Sequence, residues 1–178
     1  MHPDITQVLY TEEQIAAAVQ ELADRISADY ADKRLLLVSV LKGSFVFAAD
    51  LIRKLECEVE LDFIAVSSYG VDARSSGVVR IVKDLEGLIN QYDVLLVEDI
   101  LDSGLTLNYL RKYLRSREPR SVETAALLLK EGKQEEPADC KYVGLVCPDV
   151  FLVGYGLDYA ERYRNLSYIG VLDPKVYS

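Results

Sequence analysis

With 178 residues, 50 % of them hydrophobic, the chain has material for one domain with a proper core and not comfortably for two, and its composition excludes a disordered polypeptide. A formal net charge of −9 disfavours nonspecific contact with nucleic acid or an anionic membrane surface. No apolar run reaches spanning length, and the opening MHPDITQVLYTEEQ lacks the basic-then-apolar order of an export signal, so a cytoplasmic protein is the expectation.

Thr11 followed three residues later by Gln14 has the spacing of a capping box, and Ile15, Val19, Leu22 and Ile26 recur at helical intervals as far as Ala28. The terminus that carries His2 is expected to fray. Leu35 to Leu41 (LLLVSVL) is an almost unbroken apolar run, the pattern of a strand buried on both faces. Lys42-Gly43 ends it, and Ser44 to Leu55 reads as a helix with Phe45, Ala48, Ala49 and Ile52 inward. Glu58 to Val66 is a second strand. Residues 67–78 (SSYGVDARSSGV) form a Ser- and Gly-rich loop long enough to serve as a mobile lid, and Val79 to Val82 reads as the antiparallel return. Lys83 to Gln91 reads as a polar connector.

Tyr92 to Leu107 (YDVLLVEDILDSGLTL) is the most informative stretch. A β-branched apolar run meets Glu98 and Asp99, then Asp102-Ser103-Gly104-Leu105-Thr106, then a helical pattern through Leu107, Leu110 and Leu114 to Arg117. A buried strand, a small polar loop and a helix start follow from that order. Such a loop offers backbone N–H groups and the positive end of a helix to an anion. The neighbouring carboxylates suit a divalent cation or sugar hydroxyls. Together they fit a phosphorylated sugar with Mg²⁺. Arg111, Lys112, Arg115 and Arg117 read as a solvated helix face in so acidic a chain.

Val122 to Leu129 is a further buried strand ending at Lys130. A charged loop over Glu131 to Lys141 and three short strand candidates, at Val143 to Val146, Phe151 to Val153 and Tyr168 to Val171, complete the chain. Cys57, Cys140 and Cys147, odd in number and without metal-ligand spacing, read as free thiols. The only histidine is His2, which leaves any catalysis to carboxylates, lysines, backbone N–H groups and a hard metal. Apolar strands alternating with amphipathic helices predict an α/β fold around a parallel sheet, with ligands outside the carboxyl ends of the strands. Lys42-Gly43, Glu98 to Thr106 and Lys130 all fall at such ends.

VLLVEDILDSGLTL resembles the phosphoribosyl-diphosphate signature of the purine phosphoribosyltransferases. LKG at residues 41–43, SSYG at 67–70, LLLK ending at Lys130 and DVFLVGYGLDYAERYRNL from Asp149 resemble the hypoxanthine(-guanine) branch in order and spacing. The resemblance implies a Rossmann-like parallel sheet flanked by helices, a single domain with its core at about residues 35–145, a small hood from the terminal segments, and Mg²⁺. It implies phosphoribosyl transfer from phosphoribosyl diphosphate to a 6-oxopurine, hypoxanthine and also guanine, by a homodimer or homotetramer. Asp102 then stands as general base, Asp102 to Thr106 (with Ser103, Gly104 and Leu105) as the 5′-phosphate loop, and Glu98 and Asp99 at the ribose and metal. Lys42, Gly43 and Arg164 would bind pyrophosphate, after a cis peptide between Leu41 and Lys42. Lys130, Phe151, Leu152 and Asp158 would meet the purine, Asp158 also a second metal, and Ser68 and Tyr69 would belong to the lid. An RNA-binding attenuation regulator on the same fold is the alternative; it would need a basic face, and the charge of −9 and the purine-type C-terminal segment argue against it, while a preference for xanthine stays open. A phospho-accepting receiver would carry its acids on the first strand, which here ends Leu-Lys-Gly.

Overall fold

The computed structural model describes residues 1–68, 79–133 and 139–177. In chain order the elements are β1 (Ile5–Tyr10), α1 (Glu12–Asp29), β2 (Leu35–Leu41), α2 (Phe45–Ile52), β3 (Val59–Ser68) and β4 (Val79–Lys83). They continue with β5 (Asp93–Leu101), α3 (Leu105–Arg115), β6 (Ser121–Lys130), β7 (Tyr142–Cys147), β8 (Leu152–Val153) and β9 (Ile169–Leu172). The main sheet has six strands in the order β4-β3-β2-β5-β6-β7. All its pairings are parallel except β3 with β4. The unbroken apolar runs thus become its interior strands, because only a strand covered on both faces can be apolar throughout.

The covers divide the core in two. Ile15, Val19, Leu22 and Ile26 of α1 and Phe47, Ala48 and Leu51 of α2 pack on one face. Leu107, Leu110 and Leu114 of α3 pack on the other. α1 begins with the capping box expected of it, Thr11 accepting from Gln14 N while Gln14 Oε1 accepts from Thr11 N at 2.9 Å.

Four expectations are corrected. The N-terminal segment does not fray: β1 pairs antiparallel with β9 in a separate three-stranded sheet, and His2 N donates to the Tyr168 hydroxyl at 2.8 Å. Its partner lies at the far end of the chain and its register is irregular, so no local alternation announces it. In α2, Phe45 and Ala49 face outward while Phe47 and Leu51 turn in, and the helix ends at Ile52. Buried Ser44 donates to the Val40 carbonyl at 2.6 Å and fixes the rotation of the first turn. The connector after β4 is not wholly polar, since Leu85 and Ile89 are buried against the α3 side. Arg111 is not on a solvated face: it falls on the stripe of Leu107, Leu110 and Leu114, is buried, and pairs with Asp139 at 2.8 Å. All three cysteines are free.

Ser67 and Ser68, expected in the loop, close β3 instead; Tyr69 and the rest of that loop, residues 69–78, lie outside the described residues.

Candidate active site

From β2 the chain moves one way across the sheet, to β3, and from β5 it moves the other way, to β6. Two neighbouring strands whose connections diverge leave a crevice at their carboxyl ends, where open α/β sheets bind ligands. The crevice is bounded by Lys42-Gly43 after β2, by the end of β5 with the loop beyond it, and by Lys130 at the end of β6.

Glu98 is buried and Asp99 half-buried at the end of β5. Burial, and then the neighbouring Asp99 carboxylate, raise the proton affinity of Glu98 well above the ordinary carboxylate range. Burial also lifts Asp99 to about 6, opposed by the hydrogen bond it accepts from Ile100 N at 2.7 Å. Arg164 and Asp158 are close enough to act on the same carboxylate, in opposite directions. Two adjoining desolvated carboxylates are a donor set that a hard cation would suit and would hold ionised. Among the described residues no three His, Cys, Asp or Glu side chains converge as a ready-made cage. The set therefore fits Mg²⁺ sharing its coordination with substrate oxygens and water, the ion's usual arrangement. Glu98, Asp99 and Asp158 do not form a closed ligand group.

Beyond the acids, Asp102, Ser103, Gly104 and Thr106 line a small pocket of about 80 Å³ together with Glu98. Gly104 is the N-cap of α3 with φ +86°, and Ser103 Oγ accepts from Leu105 N at 3.4 Å. The loop thus wraps the positive end of α3. A larger apolar groove of about 560 Å³ between α1, α2 and the segment following Tyr155 touches the crevice only through Arg164 and holds none of Glu98, Asp99, Asp102 and Asp158. Glu98 and the loop from Asp102 line the smaller pocket instead.

Lys130 reaches across to Asp102, Nζ to Oδ2 3.1 Å, and also approaches Asp149 at 3.5 Å. Asp149 is held by Lys133 at 2.9 Å. Phe151 is partly exposed; the Tyr177 ring stacks on it at 5.0 Å and Tyr159 meets it edge-on at 5.5 Å. Leu152 is buried in β8.

On the other side of the crevice the Leu41–Lys42 peptide is cis. Gly43 lies so close to Asp99 that a Cβ there would fall 1.7 Å from Oδ2. Lys42 Nζ donates to Glu161 Oε2 at 2.9 Å, and Arg164 bridges Asp158 at 3.0 Å, Glu161 at 3.3 Å and the Gly156 carbonyl at 2.8 Å. The Arg164 Nε–H is buried with no acceptor among the described residues.

The expected residues gather into three adjoining groups: Gly43, Asp99, Asp158 and Arg164 with Lys42; Glu98 with the loop from Asp102; and Lys130 with Asp102, from which the Phe151 cluster follows two residues after Asp149. Asp102 belongs to two of them. Sequence reasoning missed Asp149, Glu161 and Tyr177. None stands in a spacing that marks it, and each is identified only by what it touches.

Comparison with known proteins is consistent over the whole chain. The phosphoribosyl transferase domain family matches residues 6–160. The hypoxanthine-guanine phosphoribosyltransferase of Mycobacterium tuberculosis is 51 % identical over 98 % of this chain and 89 % of its own length. That of Bacillus subtilis is 48 % identical over 99 % and 98 %. A crystal structure of a hypoxanthine phosphoribosyltransferase from Staphylococcus aureus superimposes with a TM-score of 0.96 at 47 % identity, covering 100 % of this chain and 97 % of that one. Divergent connections at a strand-end crevice, a polar loop at the start of α3 beside paired acids, and these likenesses agree: the chain belongs to the phosphoribosyltransferase family, on its hypoxanthine-guanine branch.

Proposed function

We propose that this chain is a purine-salvage enzyme transferring the 5-phosphoribosyl group from phosphoribosyl diphosphate to hypoxanthine and to guanine, with release of pyrophosphate. The observation that carries the reading is the Lys130–Asp102 pair at 3.1 Å, at the first residue of the polar loop. A 6-oxopurine presents, side by side, a carbonyl that accepts and a ring N–H that donates. A lysine beside a carboxylate is the complement of that edge. Adenine would turn an amino group toward a side chain that has donors only, leaving both unpaired.

In this reading the loop from Asp102 to Thr106 holds the 5′-phosphate with backbone N–H groups, the Ser103 and Thr106 hydroxyls and the end of α3. Phe151 and the backbone at Leu152 hold the purine plane against the sugar. The purine nitrogen forms its bond to the anomeric carbon as the bond to diphosphate breaks. The ring sheds a proton, which the Asp102 carboxylate accepts. Lys42, the Gly43 N–H and Arg164 meet the negative charge that grows on the leaving diphosphate. Glu98 and Asp99 would hold Mg²⁺, which would supply neutralisation of diphosphate charge beside the ribose, and Asp158 is assigned to a second such site. Ser68 and Tyr69 are assigned to a lid over the reacting centre. One domain with a hood formed by the terminal strands, more than one copy in the working assembly and a cytoplasmic location complete the proposal.

Incubation with phosphoribosyl diphosphate, Mg²⁺ and each of hypoxanthine, guanine, xanthine and adenine in turn tests it. Nucleotide from the first two is expected. Asp102→Asn should lower turnover by about 10²- to 10⁴-fold while diphosphate-substrate binding persists, the range for a lost general base. Undiminished turnover would remove Asp102 from that role. Lys130→Ala should abolish base binding or admit adenine, and an unaltered base profile would refute its assignment.

A further inference from the structure

Glu161 is outside the set assigned above, yet it stands between the two cations of the pyrophosphate subsite. Its Oε2 accepts from Lys42 Nζ at 2.9 Å and its Oε1 from Arg164 Nη2 at 3.3 Å. A single anion of the chain itself thus bridges both groups given to the leaving diphosphate.

The bridge is more than two flexible side chains meeting at a surface. Glu161 lies in a tight turn in which Tyr159 and Arg162 exchange backbone hydrogen bonds, and its N–H donates to Asp158 Oδ2 at 2.9 Å. Ala160 and Glu161 have φ of +50° and +63°, a left-handed backbone that side-chain-bearing residues hold only where their surroundings impose it. The residues that follow are clamped from outside: the Tyr163 hydroxyl donates to Asp4 at 2.7 Å, and Arg162 lies 3.7 Å from the same carboxylate. The turn therefore aims the Glu161 carboxylate at Lys42. Lys42 in turn, followed by Arg164, holds that carboxyl below its ordinary range.

We propose that Glu161 is an internal counter-anion, which occupies Lys42 and Arg164 while the subsite is empty and competes for them with the diphosphate of the substrate and with released pyrophosphate. The proposal rests on the assignment of Lys42 and Arg164 given above. A diphosphate carries more charge than one carboxylate and displaces it. Its affinity is lower by whatever the carboxylate had contributed, and the same carboxylate returns as the product leaves. Arg164 keeps its contacts with Asp158 and the Gly156 carbonyl throughout, so the exchange is confined to one side chain.

Glu161→Gln and Glu161→Ala, both at an exposed position, test this beside the wild type. Steady-state kinetics yield kcat, KM for phosphoribosyl diphosphate, KM for hypoxanthine and the inhibition constant of inorganic pyrophosphate; calorimetric titration with inorganic pyrophosphate and Mg²⁺ reads the subsite without turnover. Both variants should bind pyrophosphate and the diphosphate substrate roughly two- to tenfold more tightly, the range for one or two exposed ion pairs removed from competition. KM for hypoxanthine should stay unchanged, and the difference should narrow as salt is added. Weaker binding in both variants would mean that Glu161 steadies the cations, and equal binding would mean that it does not compete; either overturns the proposal. If the wild type made no nucleotide while the variants still bound pyrophosphate more tightly, the assignment of activity would fail and the counter-anion would stand.

Discussion

At the scale of single residues the crevice is built by close approach. A Cβ on Gly43 would meet Asp99 Oδ2 at 1.7 Å, and a Cβ on Gly156, whose φ is +98°, would meet the Gly43 carbonyl at 2.3 Å. Gly156, Gly43 and Asp99 are therefore stacked without space for a methyl group. Gly43→Ala must displace the Asp99 carboxylate or the end of β2 by an ångström or more, and displacements of that size cost about 10²-fold in rate. The expected result is a folded protein with kcat/KM down by about that factor; rates within a factor of two of wild type would show that the contact yields freely. Gly156→Ala forces a left-handed backbone on a residue with a Cβ and should destabilise by about 1–3 kcal/mol, read in a melting curve. That Lys-Gly ends a strand in the crevice was legible in the sequence. That its glycine answers to Asp99 was not, because the reason lies on another strand. Glu161 is the harder case: nothing in DYAERYR distinguishes it from a surface acid until the turn around it is built.

Among elements, legibility followed how much of each one's environment is local. β2, β5 and β6 could be read because burial on both faces writes itself as an unbroken apolar run, and α1 because its cap and stripe lie within its own sequence. Thr11→Ala removes the accepting hydroxyl of that cap and should cost about 1 kcal/mol. For a domain of this size that is a fall in Tm of about 2–4 °C, measurable by calorimetry, with activity unaffected. α2 was misjudged in rotation because Ser44, bonded to the Val40 carbonyl, sets its first turn. Arg111 was misjudged because charge overrode its place on the apolar stripe. β1 could not be found at all, since both its pairing and its buttress, Asp4 against Tyr163, come from the other end of the chain.

For the whole molecule, several acids tie distant parts together. The Tyr142 hydroxyl, then Lys141, holds Asp29 of α1 below the ordinary carboxylate range; Tyr92 and Arg34 do so for Glu60, and Arg111 for Asp139. A folded value below the unfolded one means that the folded state binds fewer protons. These ties therefore contribute fully above about pH 5 and are lost as the pH falls through the depressed folded values. Tm should decline below about pH 5 for this reason. Asp139→Asn, which leaves buried Arg111 without its carboxylate, should melt lower than wild type at pH 7, and the gap should close toward pH 2; a gap independent of pH would contradict the electrostatic origin.

The pairing of β1 with β9, from Ile5 opposite Leu172 to Tyr10 opposite Ile169, has a bearing on how the protein is made. On the ribosome the first strand emerges with nothing to join, while the six-stranded sheet can assemble behind it. Only when β9 has left the exit tunnel can the hood be stitched, Asp4 brace the turn carrying Glu161, and the crevice acquire its last wall. A nascent chain stalled before Ile169 should therefore resist protease across its main sheet and yet leave its opening residues to be trimmed.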